Sequence, residues 1–127
     1  KFAGPANRIM TLVRQQNLLE KPAHFANQIE WTFWELWHHE GRRARHGSAM
    51  MGPDYTWWHG FYEVAKHFYL KFIPEAQSFQ NETVNGVIDS LFTHDPMHQW
   101  INQETGKLRR DIRNGSFEEL YKQMFKQ

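Results

Sequence analysis

Histidine and acidic side chains are grouped in the middle of the sequence, where they could bind a metal ion. His59, Glu63 and His67 recur every four residues, so on a helix they would form one stripe. Two imidazoles and a carboxylate are the kind of ligands that metal sites in helical bundles use. Such a site also needs ligands from a facing helix, and the His-His-Glu run at 38–40 is the candidate for that role. The pattern therefore leaves open a di-metal site built by this chain.

A second reading of the histidines is axial ligation of a haem iron. His46 and His59 flank a loop of glycine, methionine and proline. A neutral imidazole that reaches into a neighbouring chain can be the distal ligand of a haem held by that neighbour. Met50 and Met51 could also ligate iron, although a methionine pair in an aromatic-rich setting more often serves as packing. Trp and Phe side chains around the loop would cover the porphyrin and exclude water.

The residue types exclude several other kinds of chemistry. The chain has no cysteine, so it cannot attach a haem covalently or bind an iron–sulfur cluster or a zinc-thiolate site. None of its serines lies in a recognisable nucleophile motif, and its glycines do not form a phosphate-binding loop. We therefore do not expect a free-standing enzyme.

Charge and hydropathy narrow the possible partners. The net charge is +1, and basic residues form two short runs, at 42–45 and at 107–113. Runs this short do not indicate nucleic-acid binding, and a solvated face or an anionic partner is sufficient to explain them. The chain has no run of 18 apolar residues, which predicts that it does not span a membrane.

The aromatic content is the unusual feature of the composition. Aromatic residues make up 16% of the 127 residues, with six Trp and ten Phe. These side chains bury large areas, and one small core cannot easily enclose so many of them. We therefore expect some of them to pack against another chain or a large prosthetic group.

Helical periodicity runs through most of the chain, and strand patterns are poor. We predict helices over 6–20, 22–46, 54–71, 80–92, 97–103 and 117–126, with a polar irregular segment at 106–115. Pro22 can open the second helix, Asp54 can cap the third, and Pro74 ends it. The predicted fold is all-α: one domain over 1–127, with long antiparallel helices in a bundle-like arrangement and a conspicuous loop between the two dominant ones.

The spacing of apolar residues predicts which helix faces lie inside. In the first helix the inward residues are Ile9, Leu12, Val13 and Leu19. In the second helix they recur every four residues, at Phe25, Ile29, Phe33 and Trp37. The third helix has a wide apolar face formed by Trp58, Phe61, Tyr62, Ala65, Phe68, Tyr69 and Phe72.

A longer motif links the loop to a known family. Residues 45–55 read Arg-His-Gly-Ser-Ala-Met-Met-Gly-Pro-Asp-Tyr, and residues 58–63 read Trp-His-Gly-Phe-Tyr-Glu. With their flanks, over residues 31–70, they resemble the C-terminal helical region of the hydroxylamine oxidoreductase family of octahaem c-type cytochromes. That family includes relatives that reduce nitrite. A run of this length that mixes rare residue types is a sharper signal than any of the spacings above.

The resemblance implies a partner. Family members attach their haems in an N-terminal part, through Cys-x-x-Cys-His motifs, and end in long helices that pack on the haem core and form trimers. This chain is then the helical segment as a separate polypeptide, from a split gene or from cleavage, and its start at Lys1 suggests processing. We expect it to dock on a haem-bearing multihaem cytochrome c chain as a hetero-oligomer, with the haem c held covalently by the partner.

The resemblance also implies roles for individual residues. One histidine of this region is a distal haem ligand in the family, and His46 or His59 is the counterpart. In the hydroxylamine-oxidising members a tyrosine is bonded covalently to the catalytic haem of the neighbouring subunit, and Tyr55 is the nearest match, with Tyr62 second. Reductive relatives lack that bond, so Tyr55 does not fix the direction of electron flow. A helix residue that covers the loop is the equal alternative for Tyr55. Met51 and Trp58 are expected beside the same haem.

The expected function is that of a subunit of a multihaem oxidoreductase of nitrogen metabolism, acting on hydroxylamine, hydrazine or nitrite. Because c-type haems are attached outside the cytoplasm, the resemblance also implies a periplasmic or equivalent exported location. The free-standing helical bundle with a His/Glu di-metal site remains the alternative.

Overall fold

A computed structural model describes residues 1–102 and 107–124 of the chain. These residues form helices, turns and irregular segments and contain no strand, which confirms the all-α prediction. The chain divides into two compact units, Lys1–Ile88 and Asp89–Gln127, which are described separately below. The prediction of a single domain over 1–127 stays a prediction.

The first unit is built from four helices, the last of which continues past its boundary. Helix α1 is Ala3–Gln15. Helix α2 covers 28–49 and consists of an α-helical stretch, a π-helical turn and a second α-helical stretch: Gln28–Trp34, Glu35–Glu40 and Gly41–Ala49. Helix α3 covers 53–77 and contains two π-helical turns: Pro53–Thr56, Trp57–Tyr62 (π), Glu63–His67, Phe68–Phe72 (π) and Ile73–Gln77. Helix α4 is Glu82–His94.

The second unit continues from α4 into shorter elements. A 3₁₀ turn covers Gln99–Asn102 where we predict a helix over 97–103, and residue 103 lies outside the described residues. Helix α5, Lys107–Arg113, shows that the prediction of an irregular segment at 106–115 is wrong for these seven residues. Gly106 lies outside the described part. Helix α6, Ser116–Met124, agrees with the predicted last helix, whose final two residues are not described.

Residues with left-handed backbone set two boundaries that the sequence prediction misplaces. Helix α1 ends at Gln15 and not at 20, because Asn17 has φ 52° and the Leu18 N–H donates to the Val13 carbonyl instead. Helix α2 does not begin at Pro22, because Phe25 has φ 59° and interrupts any helix before it. Its first residue follows Asn27, whose backbone N–H donates to the Glu30 carboxylate at 3.3 Å.

Helix α3 begins one residue earlier and ends later than predicted. Its N-cap is Gly52, with Pro53 in the first turn, so Asp54 is a first-turn residue and not the cap. It also runs through Pro74 to Gln77. Proline lacks an N–H and its ring clashes with the carbonyl four residues earlier in an α-helix. The π-helical turn Phe68–Phe72 lies just before Pro74 and widens the helix there. The wider turn accommodates the proline ring, so the helix continues past it.

Helices α2 and α3 lie side by side and run in opposite directions. Polar contacts pair ascending positions of α2 with descending positions of α3, namely Glu35 with Lys71 at 3.2 Å, Glu40 with His67 at 3.1 Å and Arg43 with Glu63 at 2.9 Å. Residues 50–52 join the two helices. We call this pair the hairpin, the end that contains residues 50–52 its loop end, and the opposite end its core end.

The core end of the hairpin buries large apolar side chains. Leu36, Phe68 and Phe72 are fully buried, and the rings of Phe33 and Phe72 lie 6.1 Å apart. Helix α1 adds to this core with the buried residues Ala6, Ile9, Met10 and Val13. The Phe2 ring, just before α1, lies 5.5 Å from the Phe68 ring. The unit therefore has a conventional apolar core around this end.

The loop end is closed by direct contact between the two backbones. A Cβ atom added to Gly60 would lie 2.6 Å from the Ala44 Cα atom, and one added to Gly47 would lie 2.7 Å from the Thr56 backbone nitrogen. Both distances are shorter than any real carbon contact, so only glycine fits at these positions. Because the helices touch here, no space remains between them for aromatic side chains.

Within the described residues, none of the helices combines the length and the apolar character that crossing a bilayer requires.

Candidate functional site

Large apolar side chains are concentrated on the surface of the loop end. Met50 is 80% exposed, Met51 is 90% exposed, and Trp57 and Trp58 are each 63% exposed. Tyr55, Phe61 and Tyr62 are exposed as well. Exposed apolar side chains that form a large patch mark interaction sites in soluble proteins.

The predicted apolar face of α3 is correct for one half of the helix and wrong for the other. Phe68, Tyr69 and Phe72 are buried, whereas the predicted inward residues nearer the loop, Trp58, Phe61 and Tyr62, are exposed. The π-helical turn Trp57–Tyr62 lies in the exposed half. In this half Gly60 brings the α3 backbone against Ala44 of α2, so no large side chain fits between the helices and the rings point outward.

The same correction applies to α2. Ile29 is buried and Phe33 is partly buried, as predicted, but Trp37 within the π-helical turn Glu35–Glu40 is exposed. Phe25 is also exposed, since it precedes the helix. In α1 the prediction holds for Ile9 and Val13, which are fully buried.

An aromatic groove forms on α3 next to the loop. It has a volume of about 660 Å³ and is lined by Pro53, Asp54, Trp57, Trp58, Phe61 and Tyr62. The Trp58 and Tyr62 rings lie 5.8 Å apart, edge to face, and Trp57 and Phe61 form a similar pair. Two of the residues expected beside a haem, Trp58 and Tyr62, therefore share one surface. Edge-to-face pairs hold such rings in place without burying them.

A second groove, of about 650 Å³, is basic. Three histidines and two arginines of α2 line it, and Tyr55 of α3 completes it; the α2 residues are His38, His39, Arg42, Arg43 and His46. Met50 and two glycines of the loop region make up the remainder. His46 and Tyr55 were expected at the site, but the sequence analysis did not combine them with the arginines. The signal that could have done so is the spacing of His38, Arg42 and His46, which recur every four residues.

His38 is held tightly in this groove. Its ring stacks on Trp34 with 4.3 Å between the ring centroids, and its Nε2 atom lies 3.2 Å from an Arg42 nitrogen. Burial lowers the pKa of His38, and the charges of Arg42 and His39 lower it further. Since arginine can only donate, the His38 Nε2 atom accepts this hydrogen bond.

His59 contacts two carboxylates. Its Nε2 atom is 3.4 Å from the Asp54 carboxylate and its Nδ1 atom is 3.3 Å from Glu63, which also receives the Arg43 hydrogen bond. Its ring lies 5.5 Å from the Tyr55 ring. A carboxylate on Nδ1 is the partner that orients a metal-ligating histidine, with Nε2 left for the metal. In this structure Asp54 lies next to that Nε2 atom.

His59 and His67, the two histidines of the predicted stripe, contact different carboxylates. His59 and Glu63 contact each other, but the His67 Nδ1 atom pairs with Glu40 at 3.1 Å, and its Nε2 atom is 3.9 Å from Glu35. Burial raises the pKa of Glu40, but the hydrogen bonds with His67 and its own backbone and the charges of His67 and Arg43 outweigh this and lower it. In residues 1–102 and 107–124, no group of three or more His, Asp or Glu side chains is arranged to hold a metal ion.

The expected site residues therefore divide between two surfaces of the loop end. His46 and Tyr55 line the basic groove, Trp58 and Tyr62 line the aromatic groove, and His59 contacts Tyr55. Met51 lies in the loop with a left-handed backbone, φ 53°. No protein-family model, curated protein or solved structure matches this chain.

Proposed function

We propose that this chain is a subunit or fragment of a multihaem cytochrome c oxidoreductase of nitrogen metabolism, and that its loop end docks on the haem-bearing chain. The observation that carries the proposal is the set of exposed aromatic and methionine side chains on both sides of the loop, which no other part of the described hairpin covers. Their sequence is also the segment that resembles the octahaem family.

The composition of the loop end suits a flat apolar partner. Trp and Tyr combine a large apolar body with a polar tip, so they are enriched where a surface is covered by another molecule. The aromatic groove can cover the edge of a porphyrin and exclude water from it, which tunes the haem potential. The redox chemistry itself would belong to haem c groups that the partner holds covalently.

His46 and His59 are the proposed distal ligands. His46 is exposed and lines the basic groove, whereas His59 would first have to leave Asp54. The contact of Glu63 with the Nδ1 atom is the feature that favours His59 once it is released. Tyr55, exposed and in ring contact with His59, is the proposed residue nearest to the substrate iron.

The assembly follows from the same proposal. The long helices would pack on the partner in a bundle-like, antiparallel arrangement, as a hetero-oligomer based on a trimer. The location is periplasmic or an equivalent exported compartment, and the substrate is hydroxylamine, hydrazine or nitrite.

The test is purification of a tagged chain from its source under native conditions, with an absorption spectrum and intact-assembly mass spectrometry of the product. We expect a strong Soret band and a co-purifying chain rich in Cys-x-x-Cys-His motifs. A colourless monomer that carries two iron or manganese ions would contradict the proposal and support the di-metal alternative.

A pair of variants locates the docking surface. The double variant Trp57→Ala and Trp58→Ala removes the centre of the aromatic groove, so we expect it to lose the haem partner. Leu70→Ala is the matched control, because Leu70 is 72% exposed on the same helix but lies outside both grooves. Equal loss of partner in both variants would show that docking does not occur at the loop end.

A further inference from the structure

The basic groove combines five nitrogen-bearing side chains with no acidic one among the residues that line it. Two of the five are arginines, which stay protonated at any physiological pH. Of these, Arg43 donates to Glu63 at 2.9 Å, so part of its charge is neutralised. Arg42 is therefore the residue whose charge is most available to a ligand.

Arg42 is positioned without being neutralised. Its contact inside the groove is with the His38 Nε2 atom, which accepts because arginine has no lone pair to offer. An imidazole that accepts is uncharged at that nitrogen, so it fixes the guanidinium and leaves its positive charge in place. The stacking of His38 on Trp34 holds the imidazole in turn. A guanidinium has five N–H groups, and one such contact leaves most of them for a ligand.

The remaining walls define the size and shape of the ligand. His46 follows Arg42 by one helical turn, and Tyr55 and Met50 provide an apolar side to the groove. The volume of about 650 Å³ falls in the range of small-molecule sites. Planar arginine forks match the two oxygens of a carboxylate or phosphate.

We propose that the basic groove is an oxyanion-binding site, with Arg42 as its main donor and His46 and Arg43 in support. The ligand group is a carboxylate or a phosphate. Two sources could supply it: a free oxyanion in solution, or the propionate carboxylates of a porphyrin. A free oxyanion goes beyond the proposed function, because its binding to the isolated chain needs no partner, whereas the propionate source rests on that function.

The experiment titrates the purified full chain with three probes and follows its amide and indole signals by NMR. The probes are inorganic phosphate, metal-free protoporphyrin IX, and the dimethyl ester of that porphyrin, which lacks the carboxylate charges. A metal-free porphyrin cannot be ligated by histidine through iron, so its binding reports the carboxylates and the ring alone. We expect Arg42→Gln to weaken binding of the anionic probe about tenfold or more, since a charge-assisted hydrogen bond is lost.

Two variants control for charge and geometry. Arg45→Gln removes the same charge from the same helix, but Arg45 is outside the groove lining, so we expect less than about a twofold change. Arg42→Lys keeps the charge and loses the planar fork, so we expect an intermediate affinity. A circular dichroism spectrum like that of the parent chain shows that each variant is folded.

Each outcome of these titrations either supports the proposed oxyanion site or contradicts it. Arg42-dependent binding of phosphate supports a free oxyanion as the source, and Arg42-dependent binding of the porphyrin diacid over its ester supports propionates. The proposal is overturned if neither anion binds, if Arg45→Gln weakens binding as much as Arg42→Gln, or if acid and ester bind equally well while phosphate does not bind.

Discussion

Aromatic residues are buried at the core end of the hairpin and exposed at its loop end. At the core end, Phe68 and Phe72 are fully buried, and Phe2 from the start of the chain contacts Phe68. At the loop end, Trp57 and Trp58 are mostly in solvent although they belong to the same helix. Composition does not separate the ends, because both are rich in aromatic residues.

The difference comes from how the two helix backbones approach each other. At the loop end Gly47 and Gly60 bring the backbones into contact, so large side chains can only point outward. At the core end large side chains fill the space between the helices, and α1 covers them. Glycine at a helix crossing therefore determines on which side an aromatic stripe lies, and here it leaves large apolar side chains exposed.

The largest expected effect comes from removing the same residue type at each end. Phe72→Ala deletes a ring from the filled core, and we expect the free energy of unfolding to fall by about 3–5 kcal/mol. Phe61→Ala deletes a ring that is 47% exposed, and we expect a loss below about 1 kcal/mol. Urea unfolding followed by circular dichroism measures both values.

Co-purification of the haem-bearing chain should rank the two residues in the reverse order, with Phe61 more important than Phe72. Phe61→Ala removes one wall of the aromatic groove, so we expect weaker co-purification of the haem-bearing chain although the variant is folded. A Phe61 variant as unstable as the Phe72 variant would mean that the loop end is part of the core, and the contrast between the ends would fail.

The second prediction concerns the helix crossing. Gly60→Ala places a methyl group against the Ala44 backbone, and we expect a loss of about 1–3 kcal/mol after the better helix propensity of alanine is included. Gly86→Ala in α4 is the matched control, because nothing lies within 4 Å of its added Cβ atom, and we expect a gain of up to about 1 kcal/mol. Thermal unfolding of both variants gives the comparison. If Gly60→Ala were stabilising too, the backbones would not be in contact.

The sequence predicts side-chain burial more accurately at the core end of the hairpin than at the loop end. The spacing of apolar residues predicts that Phe68, Tyr69 and Phe72 are buried, and they are. The prediction succeeds because this part of α3 has one wide apolar face, and buried residues of α1 belong to the same core. The exposed half of the same stripe is mispredicted because Gly60 brings the two helix backbones into contact there, and the spacing of apolar residues does not show where a facing backbone comes so close. High aromatic content did predict that some rings would lie outside the core.

The sequence predicts where the candidate site lies, but it does not predict which side chains contact one another there. The loop between His46 and His59 was identified from residue types alone, and both histidines are at the loop end. The sequence could not show that Arg43 and His59 share Glu63, or that His67 pairs with Glu40 across the hairpin. These contacts depend on how two helices align, which local spacing does not encode.

The third prediction concerns the pH dependence of the free energy of unfolding, to which Glu40, between the two ends of the hairpin, contributes. Because Glu40 has a lowered pKa in the folded chain, its stabilisation is complete above the ordinary glutamate pKa of about 4.3 and is lost as the pH falls through the lower folded value. Glu40→Gln should lower stability at pH 7 by about 1–3 kcal/mol and flatten its decline at acid pH. Glu40→Asp keeps a carboxylate and should keep part of the decline. Urea unfolding at a series of pH values below 6 measures both slopes, and an unchanged slope in Glu40→Gln would contradict the assignment.

The smallest expected effect concerns the backbone on either side of α3. Met51 before it and Gln80 after it both have left-handed backbone, with φ 53° and 50°. Glycine adopts this conformation without the strain that a side chain causes, so Met51→Gly and Gln80→Gly should each stabilise the chain by about 1 kcal/mol or less. Only Met51 belongs to the proposed docking surface, where it is 90% exposed. We therefore expect Met51→Gly to weaken capture of the haem-bearing chain and Gln80→Gly to leave it unchanged. Thermal unfolding and co-purification measure the two effects separately. Equal capture by both variants would mean that Met51 does not contribute to docking, and the loop end would then dock through its aromatic residues alone.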